Sequence, residues 1–231
     1  MRKSKSIGIV GCGWLGKPLC LKLQKSFNVE CFSREKTPDN ASFWQSDIII
    51  IAIHTKDNYL TTLQKIATLT NPTSDVILMS STSVYKEFDE DVDESASITK
   101  HSLIKEAEEL LLGSRERVLI LRLGGLMGED RVAGVWKSVS SFSDGFVNYI
   151  HRDDAIAIID KMIHEGVRIG VYNLVAPMHP SRKEIHQKNS KKHEREVGVF
   201  DGFSKRRISS KKVMGELGYT FLHPNPLEFW S

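Results

Sequence analysis

The feature that most constrains this chain is a glycine-spaced turn near its start, Gly11-Cys12-Gly13-Trp14-Leu15-Gly16. It follows a short β-branched run, Ser6 to Gly11. It opens a stretch, Trp14 to Phe27, in which Leu15, Leu19 and Leu23 recur at helical spacing. A G-x-G-x-x-G turn between a strand and a helix serves a physical purpose. Its first glycine permits the tight turn, its second lets backbone approach a pyrophosphate, and its third lets the helix pack closely on the strand. The helix N-terminus then offers N–H groups and the positive end of its dipole to the phosphates. Gly11, Gly13, Trp14, Leu15 and Gly16 are therefore expected to cradle a dinucleotide.

The second strand reads Val29 to Ser33, with Cys31-Phe32-Ser33-Arg34 at its tip. In an NAD-binding turn an acidic residue near this point bonds the ribose 2′-OH. Here Ser33 and Arg34 stand there instead, a hydroxyl and a guanidinium suited to a 2′-phosphate that arginine can grip bidentately. Glu30 lies slightly upstream as a competitor. The expected cofactor is NADP, with NAD as the alternative. A third run, Asp47 to Ile53, lacks polar alternation, which predicts a strand buried on both faces. The loop after it places Ala52, Ile53 and His54 beside a bound cofactor, and His54 serves equally as a polar cap of the strand.

Beyond this point strand-like and helix-like runs alternate. The pattern predicts helices over Tyr59 to Leu69, Leu103 to Leu112 and Asp153 to His164. It predicts strands over Asp75 to Ser80, Val118 to Leu123 and Gly170 to Val175. Such alternation implies βαβ units and a parallel sheet covered on both faces. The fold class is α/β: a doubly wound Rossmann sheet with a small C-terminal substrate lobe. The nucleotide-binding domain is expected over residues 1–176, with 124–150 contributing to the lobe, and 177–231 forming the rest of it. Between Arg34 and Asp47 there is little room for the usual third strand and its helix.

Composition excludes several classes. With 231 residues, 40% of them hydrophobic, the chain can bury a core without staples, and it is neither disordered nor collagen-like. No apolar run approaches the ~20 residues of a membrane helix. The basic start, Met1 to Ser6, precedes only Ile7 to Val10 before glycines intervene, which is not a signal peptide. Three cysteines, Cys12, Cys20 and Cys31, are an odd number without C-x-x-C spacing, which suggests a reducing, cytoplasmic compartment. The basic stretch from Arg182 to Lys212 reads as a solvated face, and lysine runs without interleaved aromatics do not predict nucleic-acid binding. His179, His186 and His193 stand seven apart and read as solvated, so no metal is expected.

Four further stretches resemble one family. Ser80-Ser81-Thr82-Ser83-Val84-Tyr85 resembles an S-S-x-x-V-Y strand end. Val118 to Asp130 resembles an L-R-x-x-x-x-Y-G-P segment. Val147 to Asp154 contains an N-x-I-H-x-x-D pattern, and Val171-Tyr172-Asn173-Leu174 resembles a Y-N-x strand. Together with the phosphate loop, and in this order, they resemble the extended and atypical short-chain dehydrogenase/reductase superfamily, in particular its NAD(P)-dependent epimerase/dehydratase-like proteins, also called nucleoside-diphosphate-sugar epimerase-like. Lys205 to Tyr219 resembles the family's C-terminal segment and predicts a lobe helix beginning near Ser209.

The resemblance implies an oxidoreductase or epimerase acting on a hydroxyl or keto group of a small molecule such as a nucleotide sugar. It also implies a Ser–Tyr–Lys site. The serine is Ser81. If Lys105 is the family lysine, the tyrosine position holds His101 and Glu109 follows one turn later; this register puts Leu103, Ala107 and Leu110 on a common apolar face. Shifted by one, the positions are Lys100 and Ile104, and both catalytic groups are gone. His101, as an imidazole, can serve as acid or base. Asn148, His151 and Asp154 shape the substrate side, and Asp153 and Asp154 suit a helix N-terminus. Without the tyrosine, the alternative is a non-catalytic NADP-binding redox sensor or regulatory protein.

Overall fold

A computed structural model describes residues 5–33, 41–55, 58–98, 101–135 and 141–230. In chain order the elements are β1 (Ser6–Val10), α1 (Gly16–Leu23), β2 (Asn28–Phe32), α2 (Ala41–Trp44), β3 (Ile48–Ile51), α3 (Tyr59–Leu69), β4 (Asp75–Ser81), β5 (Asp91–Val92), α4 (Leu103–Ser114) and β6 (Val118–Leu123). There follow β7 (Gly125–Met127), β8 (Ser141–Gly145), β9 (Tyr149–His151), α5 (Arg152–Glu165), β10 (Gly170–Leu174), α6 (Arg182–Lys192), β11 (Val199–Ser204), β12 (Arg207–Ile208) and α7 (Lys211–Glu216). The main sheet has six parallel strands flanked by helices, in the order β10-β6-β4-β3-β1-β2. β2 is its edge, and only the one-turn α2 is described between β2 and β3, as the short Arg34-to-Asp47 interval requires.

The chain divides into two compact units. The first comprises Met1–Val84, Ile98–Arg122 and Ile158–Val171; the second comprises Tyr85–Ser97, Leu123–Ala157 and Tyr172–Ser231. In the first unit, Ile48 to Ile51 are completely buried, the outcome expected for an apolar strand with both faces covered. Leu63 and Ile66 of α3 and Ala107 and Leu111 of α4 pack into the same core as Val76, Leu78, Val118 and Ile120.

The inward face of α4 differs from the one the leucine spacing predicts. Leu103 is exposed and Leu110 only half-buried, whereas Ala107, Glu108 and Leu111 are buried. The physical reason is a buried ionic knot. Ser80 Oγ donates to Glu108 Oε1 at 2.5 Å, Arg122 Nε donates to the same oxygen at 3.0 Å, and the Arg122 fork reaches Glu108 Oε2 at 2.7 Å. A charged pair taken out of water must keep its partner, so Glu108 sets the rotation of α4 on β4 and β6.

In the second unit, the N-x-I-H-x-x-D residues tie segments together. Asn148 Nδ2 donates to the Arg206 carbonyl at 3.0 Å, and its Oδ1 accepts from the Ile208 N–H at 2.7 Å. Fully buried Asp154 accepts from Tyr219 OH at 2.8 Å, Leu222 N at 2.7 Å and His223 N at 2.9 Å. Burial and this carboxylate push the Tyr219 pKa well up. Asp154 thus anchors the C-terminal segment rather than capping its own helix. The lobe helix expected near Ser209 is α7, with Ser210 at its N-cap.

His186 corrects the reading of three solvated histidines. α6 begins with a capping box between Ser181 and Glu184 and turns Ile185, His186, Asn189 and Ser190 inward. The His186 ring lies edge-on to Phe200 with centroids 5.5 Å apart. Burial, reinforced by the Arg182 charge, lowers its pKa from 6.5 to about 4.

Two outcomes follow from these contacts. Glu108→Ala removes the carboxylate that Arg122 and Ser80 share in the interior and lowers the unfolding free energy by about 3–5 kcal/mol in urea melts, more than Glu108→Gln does. For His186, the unfolded state takes up its proton first as pH falls. Its contribution is therefore intact above pH 6.5, is lost as pH falls from 6.5 towards about 4, and changes no further below that. Chemical melts across this window show the slope in the parent chain, and a His186→Phe variant shows less of it.

Candidate functional site

The site is built on the first turn of the first unit. β1 ends at Val10, and Gly11 takes φ +110°, a left-handed conformation natural only to glycine. A Cβ at Gly11 would run into the Ala52 carbonyl, and one at Gly16 into the Gly11 carbonyl. These two glycines are thus demanded by the fold. The turn hangs on the tip of β2, where the Phe32 carbonyl accepts from both Gly11 N (2.8 Å) and Cys12 N (3.0 Å). Ala52 N donates to the Val10 carbonyl at 2.8 Å and seats the turn on the end of β3.

Gly13 is different. It is exposed, a Cβ there would meet nothing within 4 Å, and its φ lies outside the left-handed region. The N–H groups of Gly13 and Leu15 have no hydrogen-bond partner among the described residues. Leu15 caps α1 without a side-chain acceptor, and the first turn holds no acid. The Leu15 side chain itself is core, so its contribution to the cradle is its N–H. Pro18, which lacks an N–H, sits in the first turn where that group would have had no helical partner. An uncapped helix N-terminus without acids suits an anion.

Ser33 follows β2 at its C-terminal tip and is half-buried. Arg34 lies outside the described residues. Glu30 lines a cavity with Lys5, Ser6, Asn28 and Asp47, the residues that begin β1 and β2 and precede β3; this is the opposite end of the strands from the glycine turn. Ile53 is half-buried beyond β3, and exposed His54 turns Nδ1 to the Thr55 carbonyl at 3.1 Å.

Ser81 is the last residue of β4, and its Oγ accepts from Ser83 N at 3.1 Å. Its neighbour Ser80 belongs to the buried knot. His101 is exposed, with Nδ1 3.1 Å from Glu106 Oε1. Lys105 pairs with Glu109 at 3.4 Å, one helical turn on. No hydrogen bond joins either side chain to Ser81 among the described residues. Tyr85, which ends the S-S-x-x-V-Y stretch, is completely buried.

Two features were not legible from spacing. Cys12 and Cys31 are joined by a disulfide, with Cα atoms 5.5 Å apart, while Cys20 is free and buried. Their closeness arises because β1 and β2 are paired neighbours, with Ile9 opposite Cys31 and Val10 opposite Phe32. The second is a cluster of His151, Asp153 and His223, whose ligand atoms lie within 4.8 Å of one another. The His151 and His223 rings lie 3.8 Å apart, centroid to centroid, and His151 Nδ1 accepts from Asp153 N. The two rings are tilted 36° to one another. Burial and the neighbouring His223 lower the His151 pKa.

Six parallel strands with a glycine turn after the first define the class of fold: it is similar to that of solved proteins described as NAD(P)-dependent epimerases and dehydratases. No protein-family model matches the chain. Among particular proteins, it is similar to Protein YeeZ of Escherichia coli K12, 25% identical over 268 positions, covering 96% of this chain and 98% of that one. A protein from Methylobacillus flagellatus assigned to the NAD-dependent epimerase/dehydratases superposes with TM-score 0.80 at 18% identity over 99% and 97% of the two chains. Human epimerase family protein SDR39U1, solved with NADPH, gives 0.74 at 14% identity over 96% of each. UDP-glucuronic acid 4-epimerase from Bacillus cereus, solved with NAD, gives 0.76 at 14% over 97% and 96%. At these identities the likeness to solved structures is one of fold. Among the described residues, no helix is long and apolar enough to cross a membrane.

The glycines separate by experiment. Gly16→Ala forces backbone against backbone and unfolds or strongly destabilises the protein. Gly13→Ala changes the unfolding free energy by no more than about 0.5 kcal/mol. Thermal melts of the two variants read the difference.

Proposed function

We propose that the chain binds NADP(H) at its phosphate loop. It uses the cofactor as an epimerase/dehydratase-like oxidoreductase on a hydroxyl or keto group of a sugar-nucleotide-like small molecule. The observation that carries the reading is Gly13, a glycine that neither packing nor backbone conformation requires. What a side chain there would obstruct is the approach of a ligand to the Gly13 and Leu15 N–H groups. Preference for NADP is supported by Ser33 at the tip of β2 and by the remoteness of Glu30, which leaves no acid among the described residues of that tip to hold a free 2′-OH.

The nicotinamide, when bound, supplies or accepts the hydride. In this reading Ser81, at the tip of β4, orients the substrate oxygen. His101 moves the proton and Lys105 holds the neighbouring ribose, each after leaving its present carboxylate partner, Glu106 or Glu109.

A second reading is favoured by those same contacts. The helix turns Ala107, Glu108 and Leu111 inward, while His101, just before the helix, is exposed, and both basic groups are engaged by carboxylates of α4. That arrangement suits a protein that binds NADP without turning it over.

Calorimetric titration separates these readings. NADPH binds more tightly than NADH, and Gly13→Ala weakens both at least tenfold. Failure of the parent chain to bind either dinucleotide at millimolar concentration defeats both readings. Incubation of the NADPH complex with a panel of nucleoside-diphosphate keto-sugars then discriminates between them. Cofactor oxidation that Ser81→Ala slows about a hundredfold establishes the enzyme, and binding without oxidation across the panel establishes the sensor.

A further inference from the structure

We propose that Cys12 and Cys31 are a reversible redox clamp on the phosphate loop, and that closing the disulfide tightens dinucleotide binding. The inference rests on the dinucleotide reading of that loop. Cys12 is the residue between the first two glycines of the turn, and Cys31 lies one residue before Phe32, whose carbonyl already holds the Gly11 and Cys12 N–H groups. The Cα separation of 5.5 Å falls within the range a disulfide spans without moving backbone. Both cysteines are partly exposed, so small thiols and disulfides can reach them, whereas Cys20 is buried and free.

The bond links two parts of one binding surface. One is the glycine turn leading into the uncapped N-terminus of α1; the other is the tip of β2 carrying Ser33. The link closes a segment with a sequence separation of 19 that contains the whole of α1. It forbids conformations in which the turn swings away from the β2 tip. With the clamp closed, Gly11 keeps its left-handed turn and the space over Gly13 stays open. The closed form is therefore already shaped to receive phosphates, and a ligand binding to it does not have to order the loop. The open dithiol retains the two hydrogen bonds to Phe32 but loses the covalent restraint.

Closure proceeds by exchange with an external low-molecular-weight disulfide. One protein thiolate attacks a sulfur of that disulfide and releases one small thiol. The other cysteine then attacks the protein sulfur of the mixed disulfide and releases the second. Two protein thiols and one external disulfide become one protein disulfide and two external thiols, with two electrons passing to the external pair. Cysteine pairs in reducing compartments are commonly of this transient, sensing kind.

The test uses the full chain equilibrated anaerobically in oxidised/reduced glutathione buffers. Acid quenching, alkylation and peptide mass mapping read the Cys12–Cys31 bond, and calorimetry with NADP+ reads affinity. We expect the oxidised chain to bind NADP+ roughly fivefold more tightly than the reduced chain. By linkage, saturating NADP+ then lowers the midpoint potential of the pair by about 20 mV. Cys31→Ser should bind with the reduced-form affinity in every buffer. Equal affinities, tighter binding by the reduced form, or failure of the 12–31 bond to form in any buffer overturns the clamp. If the bond titrates normally but neither form binds dinucleotide, the cofactor reading itself fails and the coupling with it. If both forms bind equally, only the coupling fails.

Discussion

Two backbone approaches that no side chain could fit organise the glycine loop after β1. Gly16 lies against the Gly11 carbonyl, and Gly11 lies against the Ala52 carbonyl. The first brings the start of α1 down onto the turn. The second stacks that turn on the end of β3, while the Phe32 carbonyl draws the tip of β2 to the same place. Three strand ends and one helix end therefore meet around a few ångströms of bare backbone. The N–H groups of Gly13 and Leu15 point out of this junction because the helix can supply them no acceptor. The outward aim of those uncapped donors depends on these close contacts, and the pairing of β1 with β2 brings Cys12 beside Cys31.

A different force governs α4. Its leucines alone permit more than one rotation on the sheet, and burial of Glu108 selects among them. Once Glu108 is drawn in to meet Arg122 and Ser80, Lys105 falls at the margin, within reach of Glu109, and His101 beyond the helix start is left in solvent. The electrostatics of a buried pair thus determine which face of α4 meets the sheet. The same demand recurs in the second unit. Asp154 is completely buried and spends both oxygens on Tyr219, Leu222 and His223. A motif that resembles a substrate-side signature serves there as a strut between the start of α5 and the end of the chain.

Much of the architecture was legible in the sequence because it follows from local periodicity. The apolar run around Ile48 to Ile51 had to be a strand covered on both faces, and the spacing of Leu60, Leu63, Ile66 and Ala67 had to be a helix. The few residues between Arg34 and Asp47 could not hold another strand-helix pair. The G-x-G-x-x-G turn specified its own conformation, since two of its glycines are sterically obligatory. Spacing failed where a polar side chain was drawn into the interior. Glu108 and His186 look solvent-facing by type, and only tertiary partners, Arg122 for one and Phe200 for the other, account for their burial.

What the sequence determined by itself is the succession of strands and helices, the short sheet edge at β2 and the position of the glycine turn. Each of these follows from residue-by-residue patterning and from backbone sterics. Tertiary structure alone decided that Gly13 is a glycine the fold does not need, that α4 turns Glu108 rather than Leu103 inward, and that Cys12 meets Cys31. The reason is the same in each case. Whether a Cβ has room, a charge has a partner or a thiol has a neighbour depends on atoms brought close by strand pairing and helix packing, and residue spacing along the chain carries no record of those distances.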